Sequence, residues 1–372
     1  MMTSVRIPAA VLERAGSVAR DVAARAGIAV DAGELLGGRA ALLGLQAAHR
    51  ISAGGATRLL DARDGWCALT LSRADDIAAV PALARTDSVG DDPWPVVARC
   101  VRDLGVEEFA ERARLLGLPV GVLGETTSAA PVHREIGPAA GPAAMSGLLV
   151  ADLSAMWAGP LCGRLLGQAG ATVVKVESAA RPDGTRQGPR AFFDWVNAGK
   201  LSYHADFAQP ERLRRLLSAA DVVIESSRPA ALQRRGLGPQ QVSGRPGRTW
   251  LRITGHGTAD GRADWVAFGD DAAVSGGLVS GTAQAPRFCG DAIADPLTGL
   301  HAALAVLQSQ ARGGGELVEI SMSAVAAGYA ALPRQDEIVC AAAPAGLTPG
   351  PAPAADNEVV DRLVDSRLAA TC

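Results

Sequence analysis

The chain has 372 residues, 48% of them apolar, which is enough for one large or two ordinary domains with a sizeable core. Lys and Arg total 36 against 39 Asp and Glu, a net charge of −3 that leaves no electrostatic footprint for nucleic acid. The six cysteines, at 67, 100, 162, 289, 340 and 372, form no C-x-x-C pair; neither a disulfide framework nor a zinc site is expected, which fits a cytoplasmic setting.

The opening "MMTSVRIPAAVLERAG" lacks an apolar h-region, so no signal peptide is expected. No run approaches 18 apolar residues, and no membrane span is expected. Helical patterns run through "PAAVLERAGSVARDVAARAG" and "AGELLGGRAALLGLQAA". A turn-rich "SAGGATRLLDARDGW" follows, with Asp64-Gly65 as the turn ahead of the strand "WCALTL". Two further helices fit "DPWPVVARCVRDLG" and "VEEFAERARLLG", and "PVGVL" closes as a strand. Residues 1–123 therefore read as a small α+β domain.

Two stretches, 124–146 and 341–355, are rich in Pro, Ala and Gly and read as linkers. Between them, 147–340 alternates apolar strands with helices: "GLLVADLS", "AGPLCGRLLGQAG", "TVVKVE", "PERLRRLLSAA", "DVVIES", "RTWLRITG", "PLTGLHAALAVLQSQAR", then "ELVEISMSAVAAGYAAL". Such alternation predicts an α/β domain with a parallel sheet covered on both faces. A last helix, in 356–372, is expected to pack on that domain.

Two features of the large domain invite chemistry. Its first strand-to-helix turn, "DLSAMWAGP", has no G-x-G-x-x-G, yet a helix N-terminus there can seat a phosphate; the alternative is a tight turn that needs Gly159 for backbone shape. The segment "GDAIADPLTG" at 290–299 places Asp295 before Pro296, the grammar of a helix N-cap followed by proline at the first helical position. Asp291, four residues earlier, reads as a second candidate, or as a turn residue or solvated charge.

In order, "GLLVADLS", "AMWAGP", "QAGATVVKVE", "GPRAFFDWVNAGKLS", "ADVVIESSRPAALQRRGL", "ITGHGTADG", "DPLTG" and "GGGELVEISM" resemble the class III CoA-transferases of the CaiB/BaiF type, a family that includes formyl-CoA transferase, carnitine CoA-transferase and α-methylacyl-CoA racemase. The resemblance covers about residues 146–325. "SAGG" (52–55), "DGW" (64–66) and "EEFAERARLLGLPVGVL" (107–123) resemble that family's small domain, here placed first, a circular permutation of the usual order.

The resemblance implies a Rossmann-like large domain and exchange of CoA between an acyl-CoA and a free carboxylic acid. It assigns the nucleophile to Asp295, through a mixed anhydride and then an aspartyl-CoA thioester. A carboxylate in that role must shed water and meet a carbonyl with donors near its oxygen. CoA contacts are implied at Trp157, Ala158, Ser178, Ala205, Ser226, Ser227, Arg228 and Arg234, the last toward a CoA phosphate. Some family members carry arginine at the place of Ser178, and a lysine near 208 is also missing; Arg181, Arg186 or Arg228 would have to compensate. Gly54 and Gly55 match a mobile loop that shields the anhydride, with an ordinary turn as the alternative.

Racemases of the family pair the aspartate with a histidine about thirty residues before it. Here that region holds Asp270 and Asp271, which read either as an aid to substrate binding or as solvated loop charges, and no histidine, while His256, further upstream, reads as structural. Two-base racemisation needs a base on each face of the α-carbon, so this counts against it. Another CoA-thioester enzyme on this fold, racemase or hydrolase, and a CoA-binding protein without turnover stay open as alternatives. No metal and no permanently bound cofactor is implied. The implied partners are acyl-CoA, a carboxylic acid and a second copy of the chain in a homodimer, interlocked or otherwise closed.

Overall fold

The computed structural model describes residues 5–370. At its centre stands a seven-stranded sheet in the spatial order 132–135, 316–321, 249–254, 222–225, 149–152, 172–177 and 201–204. Every neighbouring pair is parallel except the outermost, where Val132–Glu135 runs antiparallel to Glu316–Ser321. Read from the Leu201–His204 edge, the six parallel strands follow the order 3-2-1-4-5-6 of doubly wound dinucleotide-binding folds.

The strands are apolar because both faces are covered. Val150, Val173, Val222, Ile224, Leu251 and Val318 point into one buried cluster with the helices Ala158–Gln168 and Ala294–Ala311. Leu149, Ala151, Val174, Val223 and Trp250 point into the other, with the helices Glu211–Ala219 and Asn357–Ala369. Successive strand residues face opposite layers, so a sheet sandwiched by helices selects near-continuous hydrophobic runs. The α/β class expected from the strand–helix alternation is the class observed.

The first 123 residues divide differently from the expectation of one small unit. The helices Ala9–Ala26 and Ala32–Leu43 bury Val11, Val18, Val22, Leu35 and Leu36 in the same cluster as the Ala294–Ala311 helix. Their apolar stripes carry no label for the partner, and the large layer takes them. The short strand Val5–Pro8 pairs antiparallel with Glu337–Cys340, tying this segment to the far end of the chain.

The three-stranded antiparallel sheet of Thr57–Ala62, Gly65–Thr70 and Val120–Val122 has its own core with the helices Trp94–Leu104 and Val106–Leu115. Its other face meets Val274 of the helix Gly269–Ser275 through Leu59 and Ala68. The fit is tight: a Cβ on Gly121 would lie 2.2 Å from the Asp271 carbonyl oxygen.

Of the two expected linkers, 124–146 contains the edge strand Val132–Glu135, all four residues exposed, so its backbone pairing leaves no hydrophobic signature. Among the described residues no helix is long and apolar enough to cross a membrane, and five cysteines are free and buried. Cys372 lies outside the described residues.

Candidate active site

Asp295 sits in the first turn of the Ala294–Ala311 helix, whose N-cap position is Ile293. It is therefore not the cap, and Pro296 is not the first helical residue. The chain reaches it through a tight turn in which Gly290 has φ +68 and Ala292 φ +42. A left-handed backbone at an alanine is unfavourable and needs holding. The Asp270 carboxylate does this by accepting from the Ala292 N–H at 3.0 Å, and the Asp295 N–H donates to the Ala292 carbonyl at 2.9 Å.

The T-G pair after Asp295 has a packing reason. A Cβ on Gly299 would stand 2.7 Å from the Ala158 carbonyl oxygen and 3.0 Å from Leu161. Only glycine lets the Ala294–Ala311 helix cross the start of the Ala158–Gln168 helix so closely. One turn before that crossing stands Asp295, its carboxylate so close to Gly269 that a Cβ there would lie 2.5 Å from Oδ2. Gly159 is helical with an ordinary φ, so the expectation that it serves backbone shape is corrected: a Cβ there would lie 2.1 Å from Ser154 Oγ.

Four carboxyl groups converge. Asp291 is wholly buried and pairs with Arg39, Nη1 to Oδ1 2.6 Å, so it is not a solvated charge. Asp270 and Asp271 open the Gly269–Ser275 helix and are buried, which corrects the reading of solvated loop charges. Thr70 Oγ1 donates to Asp271 at 2.7 Å, as does the Phe268 N–H at 3.0 Å. Thr57 Oγ1 reaches Asp270 at 3.4 Å.

Crowded burial shifts these acids upward. Asp295 is pushed up to about 7, chiefly by burial and further by the charges of Asp270 and Asp291, against the opposing pull of Arg39 and the Gly269 N–H. Asp270 rises to about 6 by burial and its neighbour Asp291. Asp271 rises to about 8, mainly by burial, although Thr70 and Phe268 favour its ionised form. Burial raises Asp291 too, and Arg39 opposes it.

The expected shielding glycines lie beside this cluster. Gly54 and Gly55 are exposed in a turn closed by the Gly55 N–H to the Ser52 carbonyl at 2.9 Å. A Cβ on Gly54 would be 3.3 Å from Arg39 Nη2. Arg39 itself was not among the residues expected at the site. Its signal in the sequence is a lone charge inside the apolar run "LLGGRAALL".

The residues expected to hold CoA gather at the carboxyl ends of four adjacent strands, 149–152, 172–177, 201–204 and 222–225. The order reverses between 149–152 and 222–225, the switch point where open α/β sheets leave a crevice. Ser226, Arg228 and Arg234 are exposed there, and the two arginines form no ion pair with another described residue. Ser178 closes a turn by accepting from the Arg181 N–H at 3.2 Å. The Ser227 hydroxyl is buried without a partner.

Other expected contacts are less open. Trp157 is buried edge-on to Phe192 and Trp195, 5.2 and 6.2 Å between ring centres. Ala158 and Ala205 are also buried, so ligand contact there falls to backbone or to a rearranged loop. Arg186 cannot stand in as a free cation, because it pairs with Glu177 at 2.6 Å. Arg181 is exposed. His256 is buried against Trp265, with Nδ1 3.3 Å from Ser275 Oγ.

Residues 145–349 match the model of CoA-transferase family III. Succinyl-CoA–D-citramalate CoA-transferase of Chloroflexus aurantiacus is 31% identical over 199 residues, 49% of this chain and 50% of that protein. Succinate–glutarate CoA-transferase of Agrobacterium fabrum is 31% identical over 204 residues, 48% of this chain and 50% of that protein. A CaiB/BaiF family protein from Brucella suis, of known structure, is 30% identical with a TM-score of 0.46, covering 51% of this chain and 56% of that one. The chain spans about half the length of the curated relatives it matches.

Proposed function

The chain belongs to CoA-transferase family III, and on that premise we propose that it moves CoA between an acyl-CoA thioester and a free carboxylic acid, with Asp295 as nucleophile. The observation that carries this reading is the placement of Asp295. It lies within the matched region, in the first turn of a helix that Gly299 locks against the start of the Ala158–Gln168 helix, in a buried cluster whose Arg39 borders the exposed Gly54-Gly55 turn.

In the reaction, a carboxylate oxygen of Asp295 attacks the thioester carbonyl and the CoA thiolate leaves, giving a mixed anhydride. The thiolate attacks the aspartyl carbonyl and releases the first acid, leaving an aspartyl-CoA thioester. The acceptor carboxylate attacks that thioester, the thiolate leaves, and a second anhydride joins the acceptor to Asp295. Thiolate attack on the acceptor's acyl carbon then yields the new acyl-CoA and restores Asp295. Bonds and charge balance without an external oxidant or reductant. The Gly269 N–H is a donor toward the Asp295 carboxyl, and the first turn of the helix favours negative charge there.

Trapping tests this. Wild-type protein incubated with an acyl-CoA and then with hydroxylamine is expected to carry a hydroxamate at Asp295 by mass spectrometry, and Asp295→Asn none. Protein that binds CoA yet stays unmodified across a panel of acetyl-, succinyl- and longer acyl-CoAs would instead favour a binding protein without turnover.

A further inference from the structure

Arg39 stands where three parts of the molecule meet. It belongs to the Ala32–Leu43 helix, 252 residues from the aspartate it binds. Its guanidinium pairs with the wholly buried Asp291, and lies 5.6 Å from the ring centre of Trp157 and 5.3 Å from that of Phe192. Its other terminal nitrogen lies so close to Gly54 that a Cβ there would come within 3.3 Å. The turn that presents Asp295 is thus held at two points, Asp291 by Arg39 and the left-handed Ala292 by Asp270.

We propose that Arg39 is a positioning residue for Asp295: its guanidinium anchors the 290–295 turn through Asp291 and supplies the positive charge that keeps the nucleophile a carboxylate. This rests on the transferase reading for its catalytic consequence, but not for its electrostatic one. The charged groups acting on Asp295 are Arg39 from the 32–43 helix, Asp270 from the 269–275 helix and Asp291 from its own turn. The glycine turn adds the Ser52 hydroxyl, which faces Asp270. A cation facing three carboxylates opposes their mutual repulsion, and burial makes that opposition stronger than it is in water. Asp291 acts in both directions: it binds the arginine and adds negative charge of its own.

The test titrates Asp295 directly in the full chain, by 13C NMR of the labelled aspartate carboxyls with Asp295→Asn to assign the signal. Arg39→Gln is expected to raise the Asp295 midpoint by a pH unit or more. Arg39→Lys, which keeps the charge, should leave it within about half a unit. Asp291→Asn should lower it, since a negative neighbour is gone while the arginine stays. A merely structural arginine would not move the midpoint in opposite directions in the two neutralising variants. An unchanged midpoint in Arg39→Gln, or a rise in Asp291→Asn, overturns the proposal; should Arg39→Gln fail to fold, Arg39→Met, which also drops the charge, is titrated in its place with the same rise expected.

In turnover, a midpoint one unit higher cuts the ionised fraction at pH 7 from about one half to about one tenth. The expected result is a fall in kcat of about fivefold, an acid limb displaced upward, and KM for acyl-CoA within twofold of wild type. A large rise in KM with kcat unchanged would assign Arg39 to CoA binding instead. If the wild type transfers no acyl group at all, the transferase reading fails while the titration still decides the role of Arg39.

Discussion

Asp295 shares its turn with strong opposing influences: burial and two aspartates raise it, while Arg39 and a backbone N–H lower it. A carboxylate poised near neutrality is more basic than an ordinary one yet still substantially ionised at pH 7, the compromise useful in a nucleophile. Charge also matters at the far end of the crevice. Arg228 and Arg234 are exposed without an acidic partner among the described residues, and a guanidinium suits a phosphate by its paired donors. Arg234→Gln is expected to raise KM for acyl-CoA about tenfold, ~1.4 kcal/mol of binding, with kcat within twofold. Initial rates over a range of acyl-CoA concentration check this, and an unchanged KM would remove Arg234 from the CoA site. At this scale the sequence resemblance located Asp295, but not its neighbours' roles. Asp270, Asp271 and Asp291 look like ordinary loop acids in the sequence because their burial depends on elements remote along the chain.

At the scale of elements, the site is made by one helix crossing. The Ala294–Ala311 helix rests on Ala158–Gln168 at Gly299, and that contact fixes the helix whose first turn carries Asp295. Gly299→Val would drive branched carbons into the Ala158 carbonyl. The expected cost is about 1–3 kcal/mol or more, read as a lower urea midpoint; an unchanged midpoint would mean that the two helices have room to spare. Elements with a strong local pattern were legible in the sequence. The strands Leu149–Asp152, Thr172–Glu177, Val222–Glu225, Thr249–Thr254 and Glu316–Ser321 are apolar runs, and Ala294–Ala311 is a long alanine-rich helix; Leu201–His204, with its half-apolar LSYH, was not expected. The missed ones lack such a pattern. Val132–Glu135 is held at the sheet edge by backbone pairing to Glu316–Ser321, and Gly269–Ser275 is a short helix opened by two buried acids.

Across the whole molecule, the small antiparallel unit is docked through polar as well as apolar contacts. Thr57 and Thr70 of its sheet reach Asp270 and Asp271 of the large body. This arrangement has a pH signature. Asp270, Asp271 and Asp295 are held at about 6, 8 and 7 against an ordinary value of 3.8. Between about pH 4 and 8 the folded chain keeps protons that the unfolded chain has released, so these groups make stability fall as pH rises through that window. The urea midpoint is expected to be higher at pH 5 than at pH 8. Asp271→Asn, whose amide oxygen can still accept from Thr70 and the Phe268 N–H, should flatten that slope; an equally steep slope in the variant would exclude Asp271 as its source.

The sequence by itself determined the family resemblance and the α/β class, and it singled out Asp295 for the proposed chemistry, because each is written in short local blocks whose spacing and polarity need no knowledge of the rest of the chain. Only the tertiary structure decided that the first two helices pack with the large layer, that Gly159 and Gly299 are there for space, and that Arg39 faces the 290–295 turn. Those outcomes depend on which apolar stripe meets which. Two residues 252 positions apart become partners only when the helices carrying them are buried in one core.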